Sequence, residues 1–253
     1  MSDPFVSVIV PVLNDAVQLD GLLLSLHRDQ DVQDVEIIVA NGTAVDPTIQ
    51  GLRSQFPDVL WTDGTPGRGR QMNQGSAHAK GRWLLFLHAD ARLSPGWVDE
   101  IHRADRAARY VGGSFRFSLD APDTPARLIE WGVGWRVRWL GLPYGDQAIF
   151  VRRAVFDALG GYRPLPLLED VEFVQRLRRV GRLMHSDLSV RVSARRWKRD
   201  GWVRRSAENT ILVLLFLAGV APDRLARVYH RRPPPAAPAE AERRRAQPPT
   251  ASP

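Results

Sequence analysis

Val6 to Val10 (VSVIV) is an unbroken, mostly β-branched apolar run that Pro11 closes, the pattern of a strand buried on both faces. Leu19, Leu22, Leu23 and Leu26 then recur at helical spacing, and Val35 to Val39 (VEIIV) reads as a second buried strand. Asp46-Pro47 has the form of an N-cap followed by proline at the first helical position, leading into Ile49, Leu52 and Phe56. Val59 to Trp61 gives a short third strand, and Arg82 to Leu87, entered through Gly81, a fourth. Strands alternating with helices predict a mostly parallel sheet with helices on both faces, where ligands bind outside the carboxyl ends of the strands. Further on, Val111 to Leu119 and Gln147 to Val151 read as strands and Thr124 to Leu140 as a helix. That helix carries Trp131, Trp135 and Trp139 at i, i+4 and i+8, a stripe assigned to the core.

The chain of 253 residues is 44% hydrophobic, enough for one α/β domain with a full core. From Arg231 onward it is proline, alanine, arginine and glutamate, so 231–253 is expected to be a disordered tail. The expected organisation is therefore a domain over 1–200, a helical segment over 201–230 and that tail. Within the domain, a first half over about 1–110 and a second over about 111–200 are expected. No cysteine is present, which excludes disulfides, thiolate metal sites and a cysteine nucleophile. The start, Met-Ser-Asp-Pro-Phe, lacks a basic region followed by an apolar stretch, so no cleaved secretion signal is expected and a cytoplasmic location is.

The net charge of +7 is unevenly spread. Residues 191–253 hold 14 Lys/Arg against five acids, leaving 1–190 at −2. The apolar stretch Ile211 to Ala218 lies between basic clusters and is too short to span a bilayer, which needs about 20 residues. Two readings follow for it: peripheral attachment to an anionic membrane on the inner face of the cell membrane, or packing against protein, including a second copy in a homodimer.

Polar clusters fall where the strands end. Pro11 to Asp15 and Ala40 to Thr43 face each other across the expected cleft and suit a nucleoside. Gly67 to Gly75 (GRGRQMNQG) offers arginines and backbone N–H groups to phosphate, without dinucleotide or Walker spacing. Leu87-His88-Ala89-Asp90 ends the fourth strand with a carboxylate suited to a hard cation. Glu169-Asp170 opens a helix, where the macrodipole favours acids and where one can serve as a general base.

In order and spacing, VSVIVPVLND, EIIVANG, GRGRQMNQG, LLFLHADARL, YGDQAIFVRR, GGYRPLPLLEDVEF and ARRW resemble the family 2 inverting glycosyltransferases of GT-A fold over about residues 5–200. Within that family the chain is similar to the subgroup reading His-Ala-Asp at the metal motif. The resemblance implies a Rossmann-like, mostly parallel sheet in a single domain with a C-terminal helix. It puts Pro11, Asn14, Asn41 and Gly42 at the base and ribose of the donor, and Arg70 and Asn73 beside the nucleotide. Asp90 and His88 take the metal motif for Mg²⁺ or Mn²⁺, and Asp170 with Glu169 the catalytic pair, Asp170 as base. Asp146, Gln147, Arg196 and Trp197 fall on the acceptor side. Two positions depart from the pattern: Asn41 stands where the family usually has Asp, and His88 where the first metal-motif Asp usually stands.

The implied reaction moves a sugar from a UDP- or GDP-sugar to a hydroxyl on a lipid, carotenoid, saccharide or small molecule, by one inverting displacement. Two alternatives are a catalytically weak or dead sugar-nucleotide-binding or membrane-scaffold protein, suggested by Asn41 and His88, and a sugar nucleotidyltransferase. The second lacks the Gly-rich, Arg-containing loop expected directly after strand one. Nucleic acid is not an expected partner, since no aromatics interleave the basic end.

Overall fold

The computed structural model describes residues 3–29, 34–43 and 47–230, which leaves the expected cap at Asp46 and the tail at 231–253 outside the described residues. The chain divides into two compact units, Met1–Ala194 and Arg195–Pro253. In the first, strands β1 (Val6–Val12), β2 (Val35–Asn41), β3 (Leu60–Asp63) and β4 (Trp83–Phe86) alternate with helices α1 (Ala16–Arg28), α2 (Pro47–Gln55) and α3 (Arg68–Ala77). Then follow β5 (Ala91–Leu93), α4 (Trp97–Arg106), β6 (Tyr110–Leu119), α5 (Thr124–Leu140), β7 (Ile149–Arg152), α6 (Arg153–Ala158), α7 (Glu169–Val180) and β8 (Arg182–Val192). The second unit contains α8 (Arg195–Asp200), α9 (Trp202–Leu217) and α10 (Pro222–His230).

The eight strands form one sheet in the order β3-β2-β1-β4-β7-β6-β8-β5. The first four pair in parallel, β7 runs antiparallel to both β4 and β6, and β5 is antiparallel to β8. Parallel strands covered on both faces need continuous apolar sequence, which is why VSVIV and VEIIV carry so little alternation. Val6, Val8, Ile9, Val10, Ile38 and Val39 are all fully buried.

Pro11 does not end β1, which continues to Val12. The reason lies in the register. Ile9 O accepts from Leu87 N on the β4 side, and the pairing with β4 stops at Ile9↔Phe86. Residue 11 faces that same side, where no ladder remains to need its N–H.

The tryptophan stripe of α5 is not core. Trp131, Trp135 and Trp139 are 72%, 52% and 69% exposed, and the side that packs inward is the smaller one, with Ala126 and Val137 buried. In the second unit, α9 is longer than its apolar stretch, with Val213 buried and Ile211, Leu214, Leu215 and Leu217 exposed. Among the described residues no helix is long and apolar enough to cross a membrane.

Candidate active site

The topology brings four chain segments to one sheet edge. The carboxyl ends of β1, β2 and β4 lie there. Because β7 is antiparallel to β4, with Ile149 opposite Phe86, the 3₁₀ turn that precedes it (Gly145–Gln147) arrives at the same edge.

Asn41, at the end of β2, is buried. Its Nδ2 donates to Asp63 Oδ1 at 2.9 Å and to Thr43 O, and its Oδ1 accepts from Thr43 N at 3.2 Å. Thr43 Oγ1 donates to Asn14 Oδ1 at 3.3 Å, and Asn14 itself sits in the left-handed region at φ 54°. Gly42 N closes the turn onto Val12 O at 2.9 Å, while Pro11 lies half-buried one residue earlier. Asp63 also receives Arg53 Nη2 at 2.5 Å, and that hydrogen bond holds its carboxyl below the usual range. An amide at position 41 thus lets two strand ends meet without setting one carboxylate against another.

Helix α3 begins at Arg68, inside the Gly/Arg segment. Arg70 is exposed on its first turn. Asn73 is committed to the backbone of Tyr162, donating from Nδ2 at 2.7 Å and accepting at Oδ1 from Tyr162 N at 2.8 Å. Gln71, which no local pattern singles out, is buried and donates to Val12 O and Ala40 O at 2.7 and 2.8 Å, tying β1 to β2 at their carboxyl ends.

Glu169 and Asp170 open α7 after Leu168, which adopts φ 62°. Non-glycine residues seldom hold that conformation, and it turns the helix start into the cleft. Glu169 is buried, which raises its pKa, and Arg68 Nη1 at 3.3 Å draws it back. Asp170 Oδ1 accepts from Val171 N at 2.8 Å and Oδ2 from Gly145 N at 2.6 Å. A Cβ at Gly145 would stand 3.0 Å from Asp170 Oδ2 and 3.4 Å from His88 Nε2, so glycine is what lets the metal-motif histidine and the candidate base close on one point.

Asp146 stands beside them. Its Oδ1 is sealed from solvent and has no hydrogen-bond partner. Burial pushes its pKa up to about 6, with Asp170 and Asp90 adding to the rise and Arg136 and Arg68 opposing it. Gln147 is buried and structural: it donates to Phe115 O at 3.2 Å and accepts from Arg136 Nη2 at 3.1 Å and Tyr144 N at 3.2 Å. Arg136 lies over the Tyr144 ring at 3.3 Å, and burial raises the Tyr144 pKa. Arg196 and Trp197 belong to the second unit, where Arg196 is exposed on α8 and buried Trp197 donates from Nε1 to Ser206 Oγ at 3.2 Å.

Asp90 and His88 are both partly exposed at the end of β4. Among the described residues, no group of three or more His, Asp or Glu side chains is arranged to hold a cation unaided. That donor set still fits Mg²⁺ or Mn²⁺, which take one or two protein oxygens when a pyrophosphate supplies the rest.

This sheet edge thus gathers paired acids, a histidine and the carboxyl ends of β1, β2 and β4. The chain belongs to glycosyl transferase family 2, whose model matches residues 7–165. It is 36% identical over 187 residues to an uncharacterized glycosyltransferase of Mycobacterium tuberculosis (strain ATCC 25618 / H37Rv), covering 69% of each chain. It is 31% identical over 174 residues to the PGL/p-HBAD biosynthesis glycosyltransferase of Mycobacterium bovis (strain BCG / Pasteur 1173P2), and spans 64% of that relative's length with 64% of its own. In fold it is similar to the mannosyltransferase PcManGT from Pyrobaculum calidifontis in complex with GDP-Man and Mn²⁺ (TM-score 0.64, 19% identity, 90% of this chain and 69% of that one). It is similar also to S. aureus TarS 1-349 in complex with UDP-GlcNAc (TM-score 0.57, 15% identity, 75% and 58%). The chain is accordingly a family 2 member with a GT-A-like α/β fold.

Proposed function

We propose that the chain transfers a sugar from a nucleoside-diphosphate donor to an acceptor hydroxyl by a single inverting displacement, with Asp170 as general base. The observation that carries this reading is the convergence of Asp170 and His88 on Gly145, with Asp146 next in the chain and within electrostatic reach of Asp170 and Asp90. The acceptor O–H gives its proton to Asp170 as its oxygen bonds to the anomeric carbon. The bond from that carbon to the phosphate oxygen breaks on the opposite face, and the nucleoside diphosphate leaves with the electron pair. Two backbone N–H groups fix the rotamer of Asp170, so the lone pair that takes the proton is oriented before substrate arrives.

Asn14, Asn41 and Gly42 frame the base and ribose, and Arg70 on the first turn of α3 faces the phosphates. Asn73 and Gln71 act as positioning residues, through Tyr162 and through the strand ends. Asp90 and His88 would hold Mg²⁺ or Mn²⁺, which when bound offsets charge on the departing diphosphate. That the relatives of known structure carry UDP-GlcNAc and GDP-Man with Mn²⁺ supports donors of this class. Arg196 and Trp197 remain proposals for the acceptor side.

A panel of UDP- and GDP-sugars, read by donor hydrolysis and transfer, tests the reaction. Asp170→Asn is expected to lower turnover by about 10²–10⁴ with nucleotide affinity near wild type, since a base acts in the transition state. Full activity in Asp170→Asn with loss in Glu169→Gln would move the role to Glu169.

A further inference from the structure

Helix α5 is amphipathic on two opposite sides. One side packs inward through Ala126 and Val137, backed by Arg136, which donates to Leu142 O at 3.1 Å and to Gln147. The other presents Leu128, Trp131, Trp135 and Trp139 to solvent, a ridge about 16 Å long. At up to about 250 Å² per tryptophan, the three rings leave roughly 450 Å² uncovered, the size of the largest apolar patch on a typical monomer, which is often functional. A concave surface of about 410 Å³ lies along the ridge, with Arg116, Phe117, Arg127, Gly134 and Arg138 among its lining residues. Glu130 also lines it, but spends its carboxylate on Ser118 Oγ, Leu119 N and Arg127.

Two glycines make the face more specific. Gly132 and Gly134 lie mid-helix, where glycine costs about 0.5–1 kcal/mol against alanine. A Cβ at either would meet nothing within 4 Å, so packing inside the chain does not explain them. They flank the Trp131–Trp135 ridge symmetrically, and the stretch Trp-Gly-Val-Gly-Trp reads the same in both directions about Val133.

We infer that the tryptophan face of α5 is a two-fold interface with a second copy of this chain. Antiparallel pairing about Val133 sets Trp131 against the partner's Trp135, lets each ring drop beside a glycine flank, and lays Arg127 on the partner's Trp139. A ridge beside a groove is self-complementary in the way an isologous contact requires. Trp and Arg are the residue types that dominate interface energetics. The apolar ridge alone supplies about half of the roughly 800 Å² per partner that a standard-size interface buries, which places the expected dimer at the weak end, in the micromolar range. A lipid surface would use the tryptophans and arginines but has no use for the two notches.

Sedimentation equilibrium of the full chain across the micromolar range is expected to show a monomer–dimer equilibrium. Trp135→Glu is expected to raise the dissociation constant by about 30-fold or more, with far-UV circular dichroism and nucleotide binding unchanged. Gly132→Cys, in a chain with no cysteine of its own, is expected to cross-link to its counterpart with a short bis-maleimide. A chain that stays monomeric throughout and gives no cross-link overturns the inference. So does a monomer that pellets with phosphatidylserine vesicles and loses that binding in Trp135→Glu, which would give the face to lipid.

Discussion

Asp146 places a carboxyl oxygen out of contact with water and gives it nothing to accept from. Its ordinary value of 3.8 rises to about 6, so the folded chain binds this proton more tightly than the unfolded one. The stability this confers is complete below pH 3.8 and is lost as pH rises through about 6. In metal-free protein, Asp146→Asn should match wild type near pH 4 and exceed it by about 1–2 kcal/mol above pH 7, a figure reduced for the partial exposure of the residue. Thermal melts across that range in EDTA check it; parallel curves would mean that Asp146 is solvated. A second test concerns the metal. Asp90→Ala is expected to abolish the tightening of UDP or GDP binding by Mn²⁺, and calorimetry with Mn²⁺ and with EDTA reads this directly. Most of these side chains were legible in sequence because they follow apolar strands or open a helix. Gln71, Arg68 and Arg136 were not: each acts on groups distant in the chain, through hydrogen bonds that no local pattern encodes.

Gln71 links two elements. Its buried amide reaches carbonyls on β1 and β2 at the carboxyl ends of the strands. Gln71→Leu removes two buried hydrogen bonds while Val12 O keeps the one from Gly42 N, so a loss of about 1–3 kcal/mol is expected in denaturant unfolding, and weaker nucleotide binding with it. A change under 0.5 kcal/mol would mean that water replaces the amide. The elements with continuous apolar sequence, β1, β2 and β4, were readable because burial on both faces leaves no other use for such runs. β8 was not. RLMHSDLSVRV mixes polar and apolar positions with broken alternation, and its strand character comes from pairing with β6 on one side and β5 on the other. Helix α5 shows the limit differently. Its period was plain and its bounds follow, but the larger apolar side chains face outward. Size and hydrophobicity select the core only when a helix has one apolar side.

Across the whole chain, charge separates by position: −2 over residues 1–190 and +9 over 191–253. In the second unit, α9 carries exposed Ile211, Leu214, Leu215 and Leu217, with Arg204 and Arg205 on its own first turns and Arg224 and Arg227 on α10. Arg204 is offset by Glu208 at 3.1 Å and Arg205 by Asp200 at 3.7 Å, so part of the positive charge is already spent. What remains favours an anionic surface by about 1 kcal/mol for each arginine near it, and ions screen that attraction over about 8 Å at physiological salt. The full chain is therefore expected to pellet with vesicles containing phosphatidylserine at low salt and to be released as salt rises. Leu214→Glu should weaken the binding at every salt concentration, while Trp135→Glu on α5 should leave it unchanged. That contrast separates attachment through the second unit from attachment through the tryptophan ridge. A chain that stays in the supernatant at low salt would show that the basic end has no lipid surface to serve, and would leave the apolar side of α9 to contact with protein.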